Sequence, residues 1–104
     1  MNSCDTITVE ELSDNKDKYH ILDVREEWEL QKGTIEPSIK IPMNDVSKRI
    51  NELPTDKPII VVCRTGARSA QVTKYLASQG FSARNLYGGV LAWGKFADPN
   101  IQSY

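Results

Sequence analysis

The chain has 104 residues, a length that suits a single domain with one hydrophobic core and excludes two. Hydrophobic residues make up 39% and charged residues 26%, as in soluble globular proteins, and no apolar run approaches the roughly 20 residues of a membrane span. With 13 basic and 14 acidic residues, the net charge of −1 excludes a bulk attraction to nucleic acid or to an anionic membrane. The first residues form neither a signal nor a transit peptide, so we expect a cytoplasmic protein.

The residues that most often bind metals are scarce. The chain contains two cysteines, Cys4 and Cys63, and one histidine, His20. Two cysteines cannot build a disulfide framework, and with a single histidine they are too few for a zinc site. We therefore expect neither a metal nor a cofactor. Cys4 lies in a terminus that is expected to fray, so Cys63 is the cysteine of interest.

In the first third of the chain, short strands and helices alternate. Residues 7–9 are extended, and a capping box of Thr8 and Glu11 predicts a helix over residues 9–15. A second strand, residues 19–24, runs into a short helix, residues 25–30, ended by Gly33. The sequence predicts a solvated surface position for three glutamates of this short helix. They are Glu26, Glu27 and Glu29.

The rest of the chain continues this alternation. Expected elements are a strand at 39–41, a helix from Asn44 to Pro54, a strand at 59–62, a helix up to Gly80, a strand at 83–87 and a helix at 90–93. The pattern predicts one α/β domain over residues 1–104, with a mostly parallel sheet of four to five strands and helices on both faces. We expect its core to span about residues 5–97 and the tail, residues 98–104, to be loosely held.

Cys63 follows a run of four β-branched residues and opens a short polar loop before a helix. At such a junction the first helical amides lack partners and favour negative charge, and Gly66 can take the positive φ that turns loop amides towards an anion. Arg64 and Arg68 add positive charge, so the sequence predicts a reactive cysteine with a lowered pKa. The alternative is an inert cysteine at the end of a core strand.

A second polar segment also follows a strand. Asp23 and Arg25 come at the end of the second predicted strand, as Cys63 does at the end of a later one. Because reactive groups of parallel sheets gather beyond the carboxyl ends of the strands, these segments are expected to be neighbours. We interpret Asp23 and Arg25 as an ion pair that braces the site.

Three separated stretches together resemble the rhodanese family of sulfurtransferases. They are residues 22–26 with Trp28, the loop of residues 63–68, and residues 86–90 with Trp93. The resemblance implies a rhodanese-like fold, a persulfide on Cys63, and a sulfane sulfur passed from a donor such as thiosulfate to cyanide or a thiol. It also implies an anion-binding role for the rest of the loop, namely Arg64, Thr65, Gly66, Ala67 and Arg68.

One segment departs from the family pattern, and two other functions remain open. Residues 33–38, Gly-Thr-Ile-Glu-Pro-Ser, stand where the family usually has Gly-His-Ile-Pro-Gly-Ala, and we expect this to alter the shape of the loop without loss of activity. If the segment lines the mouth of the pocket, Glu36 would disfavour small anionic donors such as thiosulfate. This favours the first alternative, a persulfide carrier that exchanges sulfur with partner proteins. A cysteine phosphatase or arsenate reductase is the second, although its loop would need an arginine at the position of Ser69.

Overall fold

The fold is built from five strands and four α-helices in a computed structural model that describes residues 5–104. Cys4 lies outside the described residues. None of the helices within this range is long and apolar enough to span a membrane. In chain order, the elements are β1 (Thr6–Ile7), α1 (Val9–Asp14), β2 (His20–Asp23), α2 (Glu27–Leu30), β3 (Ile39–Lys40), β4 (Ile59–Val62), α3 (Ala67–Ser78), β5 (Ala83–Leu86) and α4 (Gly89–Phe96).

The strands form one sheet in the order β1-β5-β4-β2-β3, and every neighbouring pair is parallel. Strand β4 lies at the centre, and all four of its residues are buried, as its continuous apolar sequence indicates. Its neighbour β2 is paired so that Asp23 lies opposite Val62. The carboxyl ends of β2 and β4 therefore lie side by side, which places Asp23 next to the start of the Cys63 loop.

Two hydrophobic cores cover the two faces of this sheet. Alternate residues of β4 point to opposite faces, so that Ile60 and Val62 enter one core while Ile59, Val61 and Cys63 enter the other. The first core also receives side chains of α1 and α4, and the second receives Val72 and Leu76 of α3. This arrangement confirms the predicted α/β fold with a parallel sheet and helices on both faces.

Residues 43–53 differ from the predicted helix. The structure has two separate 3₁₀ turns, Met43–Asp45 and Ile50–Glu52, and no α-helix between them. Val46 and Leu53 are nevertheless buried, as their spacing predicted. Apolar spacing determines which side chains face the core, but a short segment between two prolines gains too few i to i−4 hydrogen bonds to make a continuous helix necessary.

The tail after α4 also differs from its prediction. Ile101 is buried in the core on the α4 side, and the amide of Gln102 donates to the carbonyl of Lys32 at 2.7 Å. The last residue, Tyr104, contacts side chains near the Cys63 loop, as described below. The lack of periodicity in this segment gave no sign of these contacts, because each is made by one side chain to a distant part of the chain.

Candidate active site

Cys63 lies between the end of β4 and the beginning of α3, with only 1% of its surface exposed. Its Sγ atom accepts hydrogen bonds from the amide of Gly66 at 3.1 Å and from the amide of Ser69 at 3.4 Å. The Ser69 hydroxyl lies 3.3 Å from the same sulfur and can donate to it. Two amides thus donate to the sulfur, and a hydroxyl that can donate lies beside it, at the N-terminal end of a twelve-residue helix.

These donors act against burial in setting the acidity of the thiol. Burial disfavours the thiolate and by itself raises the pKa of Cys63. The hydrogen bonds from the Ser69 hydroxyl and from the amides of Ser69, Gly66 and Thr65 favour the thiolate, and together they lower the pKa of Cys63 below its ordinary value. The geometry therefore suits a sulfur that carries negative charge.

Two glycines allow the loop to take this shape. Gly66 precedes α3 with φ at +110°, a conformation that other residues rarely adopt. Gly89, with φ at +63°, opens α4 so close to the loop that a Cβ atom there would lie 2.6 Å from the carbonyl oxygen of Cys63. The amides of Val90 and Leu91 donate to the carbonyls of Cys63 and Arg64 at 2.9 and 3.2 Å. The first turn of α4 thus fixes the backbone on which the sulfur is carried.

Two polar residues near the sulfur were not identified from the sequence. The Ser69 hydroxyl lies 2.5 Å from Oδ1 of Asn85, and Nδ2 of Asn85 donates to the Gly66 carbonyl at 3.0 Å. Because a hydroxyl has one proton, Ser69 can donate either to Asn85 or to the sulfur. The sequence signal was weak: Ser69 directly follows the loop, and Asn85 is a polar residue within a short strand.

Arg68 is bound to a carboxylate. Its Nη1 and Nη2 atoms lie 2.6 and 2.8 Å from the two carboxylate oxygens of Glu29, a bidentate ion pair. The prediction that Glu29 lies on a solvated surface is wrong, because its side chain is only 3% exposed. Its position in α2 turns it towards the loop, where Oε1 also accepts the Glu26 amide at 2.9 Å. Chiefly through Arg68, the pKa of Glu29 falls to about 2.

Arg25 forms another ion pair near the loop, with Asp23, and both side chains of this pair are fully buried. Its Nη2 atom lies 2.8 Å from Oδ2 of Asp23, and its Nε atom donates to Oδ1 at 3.0 Å. The remaining donors reach the carbonyls of Glu29 and Gly33 and the hydroxyl of Tyr104. The expected pairing of Asp23 with Arg25 is therefore present, and it connects the end of β2 to α2 and to the tail.

Arg64 differs from Arg68 in its partners. No carboxylate within residues 5–104 pairs with it, and its buried Nε atom has no hydrogen-bond partner among these residues. Its guanidinium carbon lies 5.1 Å from the centre of the Tyr104 ring. Arg64 is thus the loop arginine whose charge is not balanced by a carboxylate within residues 5–104. The other loop residues, Thr65 and Ala67, contribute backbone at the helix start.

The segment that departs from the family pattern makes its side-chain polar contacts with residues other than those of the loop, within the described part of the chain. Ile35 is buried in the first core, and Glu36 is exposed, with a carboxylate oxygen 2.9 Å from Nζ of Lys40. Hydrogen bonds from Thr34 and Lys40 lower the pKa of Glu36. Its charge is therefore balanced locally, and its ion pairs and hydrogen bonds within the described range do not include residues 63–68. Nor does that range contain a group of three His, Cys, Asp or Glu side chains arranged to hold a metal.

Comparison with known proteins agrees with this architecture. A sulfurtransferase of Allochromatium vinosum is 35% identical over 91 residues, which cover 86% of this chain and 84% of that protein. A Bacillus subtilis protein, YrkF, that is named as a sulfur carrier is 36% identical over 81 residues, covering 77% of this chain and 44% of that one. The crystal structure of a rhodanese-related protein from Thermoplasma volcanium superposes with a TM-score of 0.85 at 34% identity, covering 88% and 92% of the two chains. The family model described as the rhodanese-like domain matches residues 8–96, and the chain belongs to this family.

Proposed function

We propose that this protein transfers sulfane sulfur and carries it as a persulfide on Cys63. The observation that supports this most strongly is the pair of amides, of Gly66 and Ser69, that donate to Sγ of Cys63, with the Ser69 hydroxyl 3.3 Å from the same sulfur and able to donate to it. They stabilise a thiolate before reaction and can stabilise the anionic outer sulfur afterwards. Family membership and the sulfurtransferase named among the relatives support the same activity.

The first step is attack of the Cys63 thiolate on the outer sulfur of a donor such as thiosulfate. The S–S bond of the donor breaks, and its electron pair leaves with sulfite. The new sulfur–sulfur bond joins the outer sulfur to Cys63 as a persulfide anion, so charge is conserved. The lowered pKa of Cys63 makes its thiolate easier to form than that of an ordinary cysteine, and the thiolate is the attacking species.

The second step removes the sulfur. Cyanide or a thiolate attacks the outer sulfur of the persulfide, the Cys63–sulfur bond breaks, and its electron pair restores the thiolate. We assign Arg64 to the anionic end of the donor, because its charge has no carboxylate partner among residues 5–104. Arg68 is assigned to electrostatic support of the loop, because Glu29 occupies both of its terminal nitrogens.

A persulfide carrier is the second candidate function. The observation that favours it is the likeness to YrkF, although this chain spans less than half of that protein. The carrier would use the same Cys63 but would exchange sulfur with protein partners and turn over small donors poorly. Glu36 gives this candidate little support, since Lys40 balances its charge.

A thiosulfate:cyanide assay on the wild type and on Cys63→Ser distinguishes these possibilities. Thiocyanate formation that depends on Cys63 supports the enzyme. A persulfide that forms on Cys63 without thiocyanate turnover supports the carrier. Undiminished thiocyanate formation by Cys63→Ser would contradict both, because both require the sulfur atom of residue 63.

A further inference from the structure

Tyr104 contacts the neighbourhood of both loop arginines at once. Its ring lies 5.1 Å from the guanidinium carbon of Arg64. Its hydroxyl donates to Oε2 of Glu29 at 2.9 Å, the same oxygen that accepts Nη2 of Arg68 at 2.8 Å. The hydroxyl also accepts a hydrogen bond from Nη1 of Arg25 at 3.0 Å. Tyr104 therefore contacts Arg64 directly through its ring and Arg68 indirectly through Glu29, although it lies far from the loop in sequence.

The segment that carries Tyr104 is held at two further points. Ile101 is buried beside α4, where its side chain lies against Gly94, and the Gln102 amide is bonded to Lys32. Trp28 meets the Tyr104 ring edge to face, with ring centres 5.9 Å apart. These contacts fix the ring in place, so it can act as a rigid surface for Arg64.

Arg64 depends on that surface more than Arg68 does. Arg68 is oriented by its bidentate contact with the Glu29 carboxylate. The Arg64 guanidinium has no carboxylate partner within residues 5–104, and its buried Nε atom forms no hydrogen bond with these residues. A planar guanidinium that lies over an aromatic face keeps its charge available while losing much of its rotational freedom. The aromatic face over which the Arg64 guanidinium lies is the ring of Tyr104.

We infer that Tyr104 is a positioning residue that holds Arg64 ready for an anionic donor and makes the site selective for negatively charged reagents. This inference rests on the proposed function, in which Cys63 is the attacking group. It assigns to the tail, which packs over the site, a role in choosing the donor. The contacts of the Tyr104 side chain are with Arg25, Glu29, Arg64 and Trp28, and it acts on the reaction through Arg64.

The test compares alkylation of Cys63 by iodoacetate with alkylation by iodoacetamide. The two reagents have the same leaving group and similar size, but only iodoacetate is anionic, so the ratio of their rate constants measures anion preference without any sulfur transfer. For Tyr104→Leu we expect this ratio to fall about two- to fivefold, as loss of a cation–π contact implies. Tyr104→Phe keeps the ring and should keep most of the ratio.

Tyr87→Leu is the matched control. Tyr87 follows β5 at the same edge of the sheet, is 73% exposed, and has no cation–π contact or side-chain hydrogen bond to a loop arginine within the described chain. Its substitution should leave the ratio at the wild-type value. Arg64→Gln should lower the ratio at least as far as Tyr104→Leu, and the double variant should fall little further, because the two side chains act through one contact.

An unchanged ratio in Tyr104→Leu would overturn the inference. A ratio that falls as far in Tyr104→Phe as in Tyr104→Leu would also overturn it, by assigning the effect to the hydroxyl. Additive effects of Tyr104→Leu and Arg64→Gln would do the same. The iodoacetamide rate in each variant monitors the integrity of Cys63. Failure of the proposed function would appear separately, as a wild-type Cys63 that is alkylated but never carries a persulfide.

Discussion

Glu29 binds Arg68 through both carboxylate oxygens, at 2.6 and 2.8 Å, and this ion pair distinguishes Arg68 from Arg64, the other arginine of the loop. The charge of Arg68 is balanced within the protein, and its guanidinium is fixed beside the loop. The charge of Arg64 is not balanced in this way within residues 5–104, and its guanidinium carbon lies 5.1 Å from the centre of the Tyr104 ring. Two arginines in one loop therefore have different surroundings, and this difference is the reason why we assign the anionic donor to Arg64 and not to Arg68.

Substitution of Glu29 should change how stability depends on pH. The folded pKa of Glu29 is about 2, against an ordinary value of 4.5, so the carboxylate contributes stability above pH 4.5 and loses it as pH falls towards 2. By pH 3 this loss is on the order of 2 kcal/mol. Between pH 6 and pH 3, the free energy of unfolding should therefore fall by about 2 kcal/mol less in Glu29→Gln than in the wild type. Urea unfolding at both pH values measures it.

Glu27→Gln provides the control for this experiment. Glu27 lies two residues earlier on the same helix, is exposed, and forms no ion pair within the described residues. We expect its pH dependence to follow that of the wild type. Equal losses of stability in wild type and Glu29→Gln over this pH interval would contradict the role assigned to the Glu29–Arg68 pair.

Removal of the Ser69 hydroxyl should make Cys63 less acidic. The hydroxyl lies 3.3 Å from Sγ and is one cause of the lowered pKa of Cys63. A hydrogen bond to a charged group contributes about 1.5–3 kcal/mol, so in Ser69→Ala the iodoacetamide reaction should require a higher pH than in wild type. Ser78→Ala, which removes an exposed hydroxyl at the far end of α3, should leave the profile unchanged. Coincident profiles for wild type and Ser69→Ala would show that Asn85 alone holds the hydroxyl proton.

Gly89→Ala should destabilise the protein more than Gly80→Ala does. Gly89 and Gly80 both have positive φ, so alanine at either position adopts a strained backbone at about 1–2 kcal/mol. Only at Gly89 would the new Cβ collide with the carbonyls of Cys63 and Arg64, whereas nothing lies within 4 Å at Gly80. Overpacking of this kind costs about 1–3 kcal/mol more. Thermal unfolding compares the two variants, and equal losses of stability would argue against the close approach of α4 to the loop.

The sequence allowed prediction of those features that are carried by neighbouring residues. The run Ile59–Val62 before Cys63 predicted the buried central strand, and Gly66 with the helical spacing after it predicted the strand–loop–helix unit. Each of these features depends on backbone propensity and on apolar periodicity, which local sequence expresses directly. The same information, joined to two distant motifs, was enough to predict the family.

The surroundings of the arginines could not be predicted in this way. Glu29 has the composition of a surface residue, and its burial results from the packing of α2 against a loop 39 positions later in sequence. Tyr104 reaches Arg25 over 79 positions, in a tail without periodicity. The contact between Ser69 and Asn85 crosses from α3 to β5. Each is a single contact between distant segments, and it leaves no repeating pattern in the chain.

Intact-protein mass spectrometry after incubation with thiosulfate tests for the persulfide on Cys63. We expect the wild type to gain the mass of one sulfur atom, peptide mapping to place that sulfur on Cys63, and cyanide to remove it with release of thiocyanate. Cys63→Ser should gain nothing under the same conditions. A wild-type protein that gains no sulfur from thiosulfate or from a protein persulfide donor, or one that gains it at a residue other than Cys63, would show that Cys63 is not the sulfur carrier.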